Sequence, residues 1–391
     1  MKKILQFLIL ILLVACLVFL FKGRFDAQKQ LEISSSDSTT VISTPEPTVE
    51  ITPEPTPEPT PEPTPEFFTF SFIGDNTLWA TNNFVNSNVG LPLTVGENFS
   101  YPYANTVQYF NSDEMTFANL ECSFSEENLP YDYTYTSFPF LAKPSFVNIL
   151  LDGGVDFVTM ANNHTLDFFE KGVTSTKEVL DSVGLPYGDE NEGQIITSPN
   201  GIKIGIWTAG RDLVPNQQKA VDGIRKLKED GAEIVVCMFH WGAELMYTPY
   251  ESQINLAHAC IDAGANIVYG SHPHCLEPIE QYGDGIIMYS LGNWVFGGST
   301  KPTDPDTAII QIIIKRDIDG TLSIDSFKAI PCCVSSNLDG AAANIDNYNN
   351  YQPTPYSEDN ERYQRVMSIL DGTSGIVSTG ADYTNYWASW G

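Results

Sequence analysis

Basic residues are scarce in this chain: 20 Lys and Arg stand against 49 Asp and Glu, a formal net charge of −29. A phosphate backbone is bound by clustered Lys and Arg, so this balance argues against a nucleic-acid partner. It also disfavours electrostatic docking on an anionic membrane face. Cysteine is sparse as well. The seven cysteines include no Cys-x-x-Cys pair and no metal-finger spacing, which leaves a thiolate zinc site unsupported. Cys332 and Cys333 are adjacent, where a mutual bond would be strained, so free buried thiols are expected. Also missing are a Gly-x-Ser-x-Gly elbow, a phosphate-binding loop and a dinucleotide glycine fingerprint. These absences argue against the chemistries that such motifs support.

An apolar run from Ile4 to Phe21 is broken only by Gln6 and flanked by Lys2, Lys3, Lys22 and Arg24. As a helix it would be roughly 27 Å long, close to one hydrocarbon thickness. No small-x-small cleavage site follows, so residues 1–25 are expected to form an uncleaved membrane anchor. A cleaved signal peptide and a lipoprotein-like cleavage at Cys16 are the alternatives. The flanking charge slightly favours an inside N-terminus, hence a single-pass cell-membrane protein with its domain extracytoplasmic. Residues 26–66 run Ser/Thr-rich and then repeat Thr-Pro-Glu-Pro, a composition that buries no core and favours extended polyproline II. Such a segment reads as a stalk, with a docking ligand for a Pro-binding domain as the competing reading.

From Phe67 to Val334 short β-rich runs alternate with helix-period segments, the pattern of an α/β layered domain. Strands are expected over Thr69 to Gly74, Met115 to Leu120, Phe157 to Ala161, Lys203 to Thr208, Glu233 to Phe239, Asn266 to Gly270 and Gly285 to Ser290. Helices are expected over Pro144 to Asp152, Gly172 to Val183, Gln217 to Asp230 and Ser252 to Asp262, several with glycine just past the end. Thr307 to Lys315 and Leu322 to Ala329 read as a hairpin around Asp-Ile-Asp-Gly. The remainder, 335–391, is a polar extension in which only Glu361 to Leu370 looks helical.

Chemistry-bearing residues gather at the C-terminal ends of these strands, the edge where open α/β sheets bind ligands. Asp75 ends Phe-Ser-Phe-Ile-Gly-Asp, and Glu121 ends Phe-Ala-Asn-Leu-Glu. Asn162, Asn163 and His164 close the third strand, and His240 closes Val-Val-Cys-Met-Phe-His, with Glu244 soon after. His272 and His274 follow Ile-Val-Tyr-Gly-Ser. Each signal alone is bland: Gly-Asp after a strand is more often a turn, and a lone strand-end histidine is usually a satisfied buried imidazole. The count is stronger, because four of the five histidines fall at such ends and only His258 lies on a helix face, where it reads as structural. In His-Pro-His the proline holds the backbone extended, so both rings can approach a metal pair from one loop. Imidazole with carboxylate and amide oxygen suits Zn, Mn or Fe, and two divalent ions about 3.5–4 Å apart would need roughly this many ligands. The chemistry suggested is a metal-activated water attacking a phosphoryl or acyl centre, with His164 as general acid. A glycosidase-like pair of Glu244 and Glu277 is the poorer competitor.

At these residues the chain resembles the CapA family of poly-gamma-glutamate capsule synthesis, itself similar to calcineurin-like metallophosphoesterases. The resemblance rests on six ordered segments: Phe-Ile-Gly-Asp (72–75), Ala-Asn-Leu-Glu (118–121), Ala-Asn-Asn-His-Thr-Leu-Asp (161–167), His-Trp-Gly-Ala-Glu (240–244), Gly-Ser-His-Pro-His (270–274) and Tyr-Ser-Leu-Gly-Asn-Trp-Val-Phe (289–296). It implies a four-layer αββα sandwich over residues 67–334. It also implies metal positions at Asp75, Glu121, Asn163, His240, His272 and His274, and a catalytic acid at His164 with Asp167 beside it. Asn162, Glu244 and Asn293 would contact substrate. The Asp-x-His opening of many metallophosphoesterases is replaced by Asp75-Asn76-Thr77, and the family's Tyr-Gly after Asp167 by Phe168-Phe169.

Three functions compete on this reading. One is a metal-dependent hydrolase of an envelope polymer, phosphoester or gamma-glutamyl substrate, working beside membrane synthase subunits in polymer synthesis or export. Another is a non-catalytic accessory subunit of a polymer synthase. A third is a scaffold that binds a polyanion through its metals. At −29 the chain repels polyglutamate, which weakens capture without metal. Retention of His164 beside the metal positions favours catalysis.

Overall fold

The structure is a computed structural model that describes residues 64–81, 86–131 and 138–374. The expected anchor at 1–25, nearly all of the 26–66 linker and residues 375–391 lie outside them. Among the described residues no helix is long and apolar enough to cross a membrane.

In chain order, β1 (Glu66–Thr77) and β2 (Met115–Leu120) precede a short pair, β3 (Ser123–Phe124) and β4 (Leu141–Ala142), then β5 (Phe157–Thr159) and β6 (Tyr187–Gly188). Next come β7 (Glu192–Thr197), β8 (Lys203–Ala209), β9 (Ile234–His240), β10 (Ile267–Ser271), β11 (Ile279–Tyr282) and β12 (Gly285–Met288). Last are β13 (Asn293–Phe296), β14 (Asp306–Arg316), β15 (Leu322–Cys333) and β16 (Thr354–Pro355). The longer helices are α1 (Phe169–Val183), α2 (Gln217–Glu229), α3 (Glu251–Asp262) and α4 (Glu361–Leu370). One sheet runs β16-β15-β14-β1-β2-β5-β6, with β13 added beside β1, and the second runs β11-β12-β10-β9-β8-β7. β1, β2, β5 and β6 are parallel, as are β8, β9, β10 and β12, while the hairpin partners at the edges are antiparallel.

Period-2 alternation decides which side chains meet. Phe70 and Phe72 of β1 and Phe117 of β2 join Ile204 and Ile206 of β8, Val236 and Met238 of β9 and Tyr269 of β10 in one cluster between the sheets. Phe72 stacks on Phe117 with ring centroids 4.9 Å apart, and each such buried ring contributes about 1.5–3 kcal/mol. The next residues along face outward. Ile73, Ala118 and Val158 pack against Val173 and Leu180 of α1 and the turn around Ile149. On the second sheet Val235, Cys237 and Phe239 pack against Ala220 and Ile224 of α2 and Leu256 and Cys260 of α3. The order is therefore helices, sheet, sheet, helices, the layering that the resemblance implies. Central strands β2 and β9 are buried at every position, as strands covered on both faces must be.

Expected strand positions agree with those found to within a few residues, and β2 coincides. β5 stops two residues short of Ala161 because the chain turns there: the Asn162 N–H donates to the Met160 carbonyl at 3.1 Å. The helix expected over Pro144 to Asp152 is divided into a 3-10 turn, Pro144–Val147, and an α-turn, Asn148–Asp152. In the C-terminal part more than Glu361–Leu370 is regular. Leu338–Ala342 is also helical, capped by the Asn337 side chain, and β16 extends the first sheet beside β15. Tyr348, Tyr356, Val366 and Ile369 join the cluster between the sheets. Cys332 and Cys333 are free and buried, as expected.

Candidate metal centre

Strand geometry brings residues far apart in sequence to one edge shared by both sheets. β1 ends in a register shift between Phe72 and Asp75, after which Asp75 lies beside Asn119 on one side and Asn293 on the other. Gly74 is required at this approach, since a Cβ there would sit 2.1 Å from the Gly292 carbonyl oxygen. Asp75 N–H donates to that carbonyl at 2.9 Å. The second sheet is pinned alongside by the Tyr269 hydroxyl, which donates to the Ile73 carbonyl at 2.8 Å. At this edge Asp75, Glu121 and His240 are each 0% exposed and His272 is 4% exposed.

Acceptors outnumber protons here. His240 Nε2 lies 2.8 Å from Asn163 Oδ1, 3.1 Å from His272 Nδ1 and 3.4 Å from Glu121 Oε1. One ring nitrogen carries at most one hydrogen, so these contacts cannot all be hydrogen bonds. Glu121 Oε1 has no hydrogen-bond partner at all, although its Oε2 accepts from the Thr77 hydroxyl at 2.9 Å. His274 Nδ1 lies 2.9 Å from Asn293 Oδ1 and 3.4 Å from Asp75 Oδ2. Ligand atoms of Glu121, His272 and His274 all fall within 4.8 Å of one another. Lone pairs converging around an unpartnered buried carboxylate oxygen fit a divalent cation, and the mixed N/O donor set suits Zn, Mn or Fe.

The electrostatics point the same way. Burial lifts the Glu121 carboxyl to about 7, with His274 opposing and Asp75 adding to the rise. Burial and the neighbouring His272 and His274 hold His240 well below its usual value, and burial with His274 lowers His272 to about 3. Both rings are therefore neutral at pH 7, with lone pairs free for a cation. His274 is the exception: burial disfavours its charge, but Glu121 and Asp75 outweigh burial and raise it to about 10.

Backbone strain marks the same loop. His272 has φ 101° and His274 φ 53°, a left-handed region that L-residues enter at a cost of about 1–3 kcal/mol each. Orientation of the rings comes from residues that the sequence reading overlooked. His240 Nδ1 lies 2.9 Å from Ser271 Oγ, whose hydroxyl donates to the Phe239 carbonyl at 3.2 Å. Nδ1 also lies 3.3 Å from Asn119 Nδ2, so the ring is held on its Nδ1 side while Nε2 faces Glu121. Asn119 donates 2.8 Å to Asp75 Oδ1 and accepts from Asn162 at 3.1 Å, tying β1 to the loop after β5. An asparagine one position inside a buried strand end was the only signal for it.

Two residues expected to contact substrate are committed elsewhere. Asn162 spends its amide hydrogens on Asn119 Oδ1 and the Leu120 carbonyl, and its oxygen accepts from His164 N–H, so it braces the loop. Asn293 is bonded through both amide atoms to His274, at Nδ1 and at the carbonyl, and thereby orients that ring. Glu244 is exposed, and its charge acts on His274. Glu277 instead is buried with Gln253, so the two glutamates share no common environment. His164 Nδ1 lies 2.8 Å from Asp167 Oδ2, with Phe140 against the ring at 4.8 Å between centroids. Burial disfavours the His164 cation, but Asp167 outweighs it and raises the pKa above the usual value. His258 lies apart on α3, stacked on Tyr282 at 3.7 Å and paired with Glu280.

The family model described as "Bacterial capsule synthesis protein PGA_cap" matches residues 69–298, which include every residue of the centre. The chain is 34% identical over 212 residues to the PGA biosynthesis protein CapA of Bacillus subtilis, covering 48% of this chain and 55% of that protein. It is 27% identical over 249 residues to the capsule biosynthesis protein CapA of Bacillus anthracis, covering 58% and 60%. A Mycobacterium tuberculosis protein described as "Probable polyglutamine synthesis accessory protein" is 29% identical over 168 residues, 35% of this chain and 44% of its own. The chain thus spans about half the length of the curated relatives it matches. Among solved structures, Haemophilus influenzae NAD nucleotidase aligns with 79% of this chain and 63% of its own at 12% identity and a TM-score of 0.40. A TM-score of that size is too low to transfer chemistry.

Proposed function

Because the chain belongs to the bacterial capsule synthesis protein family whose model it matches over residues 69–298, we propose that it acts in synthesis or export of a poly-gamma-glutamate-type envelope polymer. The proposal places it at the cell surface beside membrane synthase subunits, anchored through its N-terminal apolar run and carrying a two-metal, hydrolase-type centre. The observation that supports the centre most is Glu121 Oε1, buried without a hydrogen bond and faced by His240 and His274. Asp75, Glu121, Asn163, His240, His272 and His274 would hold the ions. Bound divalent ions supply Lewis-acid polarisation and lower the pKa of water at neutral pH.

The chain's own residues supply the rest. His164 is held by Asp167 through Nδ1, which leaves Nε2 to deliver a proton to a leaving group. Because its pKa is raised, the donating form persists above the usual imidazole value. Phe140 covers the ring and limits its exchange with water. Ser271 and Asn293 hold His240 and His274 in the required orientations.

A second reading, a non-catalytic accessory subunit, is favoured by the likeness to the mycobacterial relative described as an accessory protein. Elemental analysis of the full-length chain, purified without added metal or chelator, bears on the centre. About two equivalents of Mn, Fe or Zn per chain are expected, with loss in the double variant His272→Ala/His274→Ala and little change in circular dichroism. A folded, metal-free wild type that takes up no metal on titration would refute the centre and leave the accessory reading.

A further inference from the structure

The His272-Pro273-His274 turn is strained, and something must hold it. Two contacts come from the loop that follows β9: Leu245 N–H donates to the Pro273 carbonyl at 2.8 Å, and Cys275 Sγ donates to the Met246 carbonyl at 3.1 Å. Leu245 itself has φ 58°, so the loop stores strain of its own and needs an anchor. That anchor is Tyr247, whose hydroxyl donates to Asp304 Oδ2 at 2.7 Å.

Asp304 is 3% exposed and cannot stand alone as a buried charge. Arg365 of α4 answers it with Nη2 to Oδ2 at 2.8 Å and Nη1 to Oδ1 at 3.2 Å, and lays its guanidinium over the Tyr247 ring at 5.7 Å. Arg365 also pairs with the fully buried Asp306, which Arg362 Nε and the Tyr356 hydroxyl contact at 3.0 and 2.8 Å. A chain of polar contacts therefore runs from α4 through Asp304 and Tyr247 to the backbone of the histidine turn. Asp304, Asp306, Arg362 and Arg365 all lie beyond residue 298, outside the stretch that the family model matches.

We infer that Tyr247, Asp304 and Arg365 are positioning residues for the metal centre, by which the C-terminal helix holds the His272–His274 turn in its ligating conformation. The inference rests on the proposed centre, and its geometry supplies the mechanism. Removing the Tyr247 hydroxyl frees the loop from Asp304, the backbone bond at Pro273 loses its fixed donor, and the strained histidines relax away from ligation. A network serving stability alone would affect unfolding but not the affinity of an intact centre.

Titration of the metal-free full-length chain with Co²⁺, followed by visible absorption, reads this directly. Tyr247→Phe keeps the ring under Arg365 and removes only the hydroxyl; Co²⁺ affinity is expected to fall about tenfold, as for other supporting residues around metal sites. Tyr356→Phe is the control, deleting a hydroxyl bond to Asp306 in the same network without touching the loop. Its Co²⁺ affinity should stay within about twofold of wild type, whatever its melting temperature. Unchanged affinity in Tyr247→Phe, or an equal loss in both variants, overturns the inference. Absence of Co²⁺ binding by the wild type overturns the centre itself, and the inference with it.

Discussion

Replacing Glu121 with Gln separates what folding favours at this position from what a cation requires. Glu121 is fully buried, and burial raises its carboxyl from 4.5 to about 7. For an acid whose folded pKa is raised, the unfolded chain ionises first. Stability is whole below pH 4.5, declines as pH rises toward 7, and levels off above that. The gap of roughly 2.5 units corresponds to about 3 kcal/mol at pH 8, an upper figure because His274 also loses its counter-charge. Gln stays neutral, keeps the Thr77 bond, and turns an N–H toward a cluster rich in acceptors. In EDTA, Glu121→Gln should therefore match wild type at pH 4.5 and exceed it by up to about 3 kcal/mol at pH 8. Metal should reverse that order. At a hundredfold excess over Kd, Mn²⁺ would stabilise wild type by about 2.7 kcal/mol, while the variant gains little. Urea unfolding followed by tryptophan fluorescence, at both pH values with and without metal, measures all four arms. A variant no more stable than wild type at pH 8 in EDTA would refute the picture of an unpartnered, desolvated carboxylate. Equal stabilisation of both proteins by Mn²⁺ would remove Glu121 from the ligand set.

Other perturbations test neighbouring parts of the argument. His164→Ala should keep its metal but lose roughly 10²–10⁴-fold in turnover of any phosphoester or gamma-glutamyl substrate found, and unchanged turnover would remove its role as acid. Asp167→Asn should shift the alkaline limb of the pH–rate profile downward, since burial then acts on His164 with only the more distant Glu121 charge opposing it; an unmoved limb would show that His164 is not the titrating group. Gly74→Ala forces a Cβ to within 2.1 Å of a carbonyl oxygen, so a loss of about 1–3 kcal/mol or more in thermal unfolding is expected, together with reduced metal uptake. Near-wild-type melting would mean that the β1 end yields more easily than its packing implies.

Sequence alone determined that this is an α/β layered domain, and the edge at which the chemistry gathers. Both rest on local physics: runs such as Ile234–Phe239 are apolar throughout because both faces are covered, and side chains that end such runs, His240 here, emerge together at one sheet edge. The same reasoning brought Asp75, Glu121, His240, His272 and His274 to one place without knowledge of the pairings. What only the tertiary structure decided is how those groups are held. Asn162 and Asn293 stand among the expected substrate contacts in sequence, yet their amides bond to Asn119, Leu120 and His274, partners supplied by strand register. Ser271 and Thr77 look like ordinary strand residues until the fold turns their hydroxyls toward His240 and Glu121. The polar C-terminal segment gives no local sign that Arg365 will meet Asp304, 61 residues earlier, because complementarity between distant buried charges has no period along the chain. Periodicity is a property of neighbours and can be read in order; the strain at His272 and the network that restrains it arise from contacts made only when both sheets and α4 are assembled.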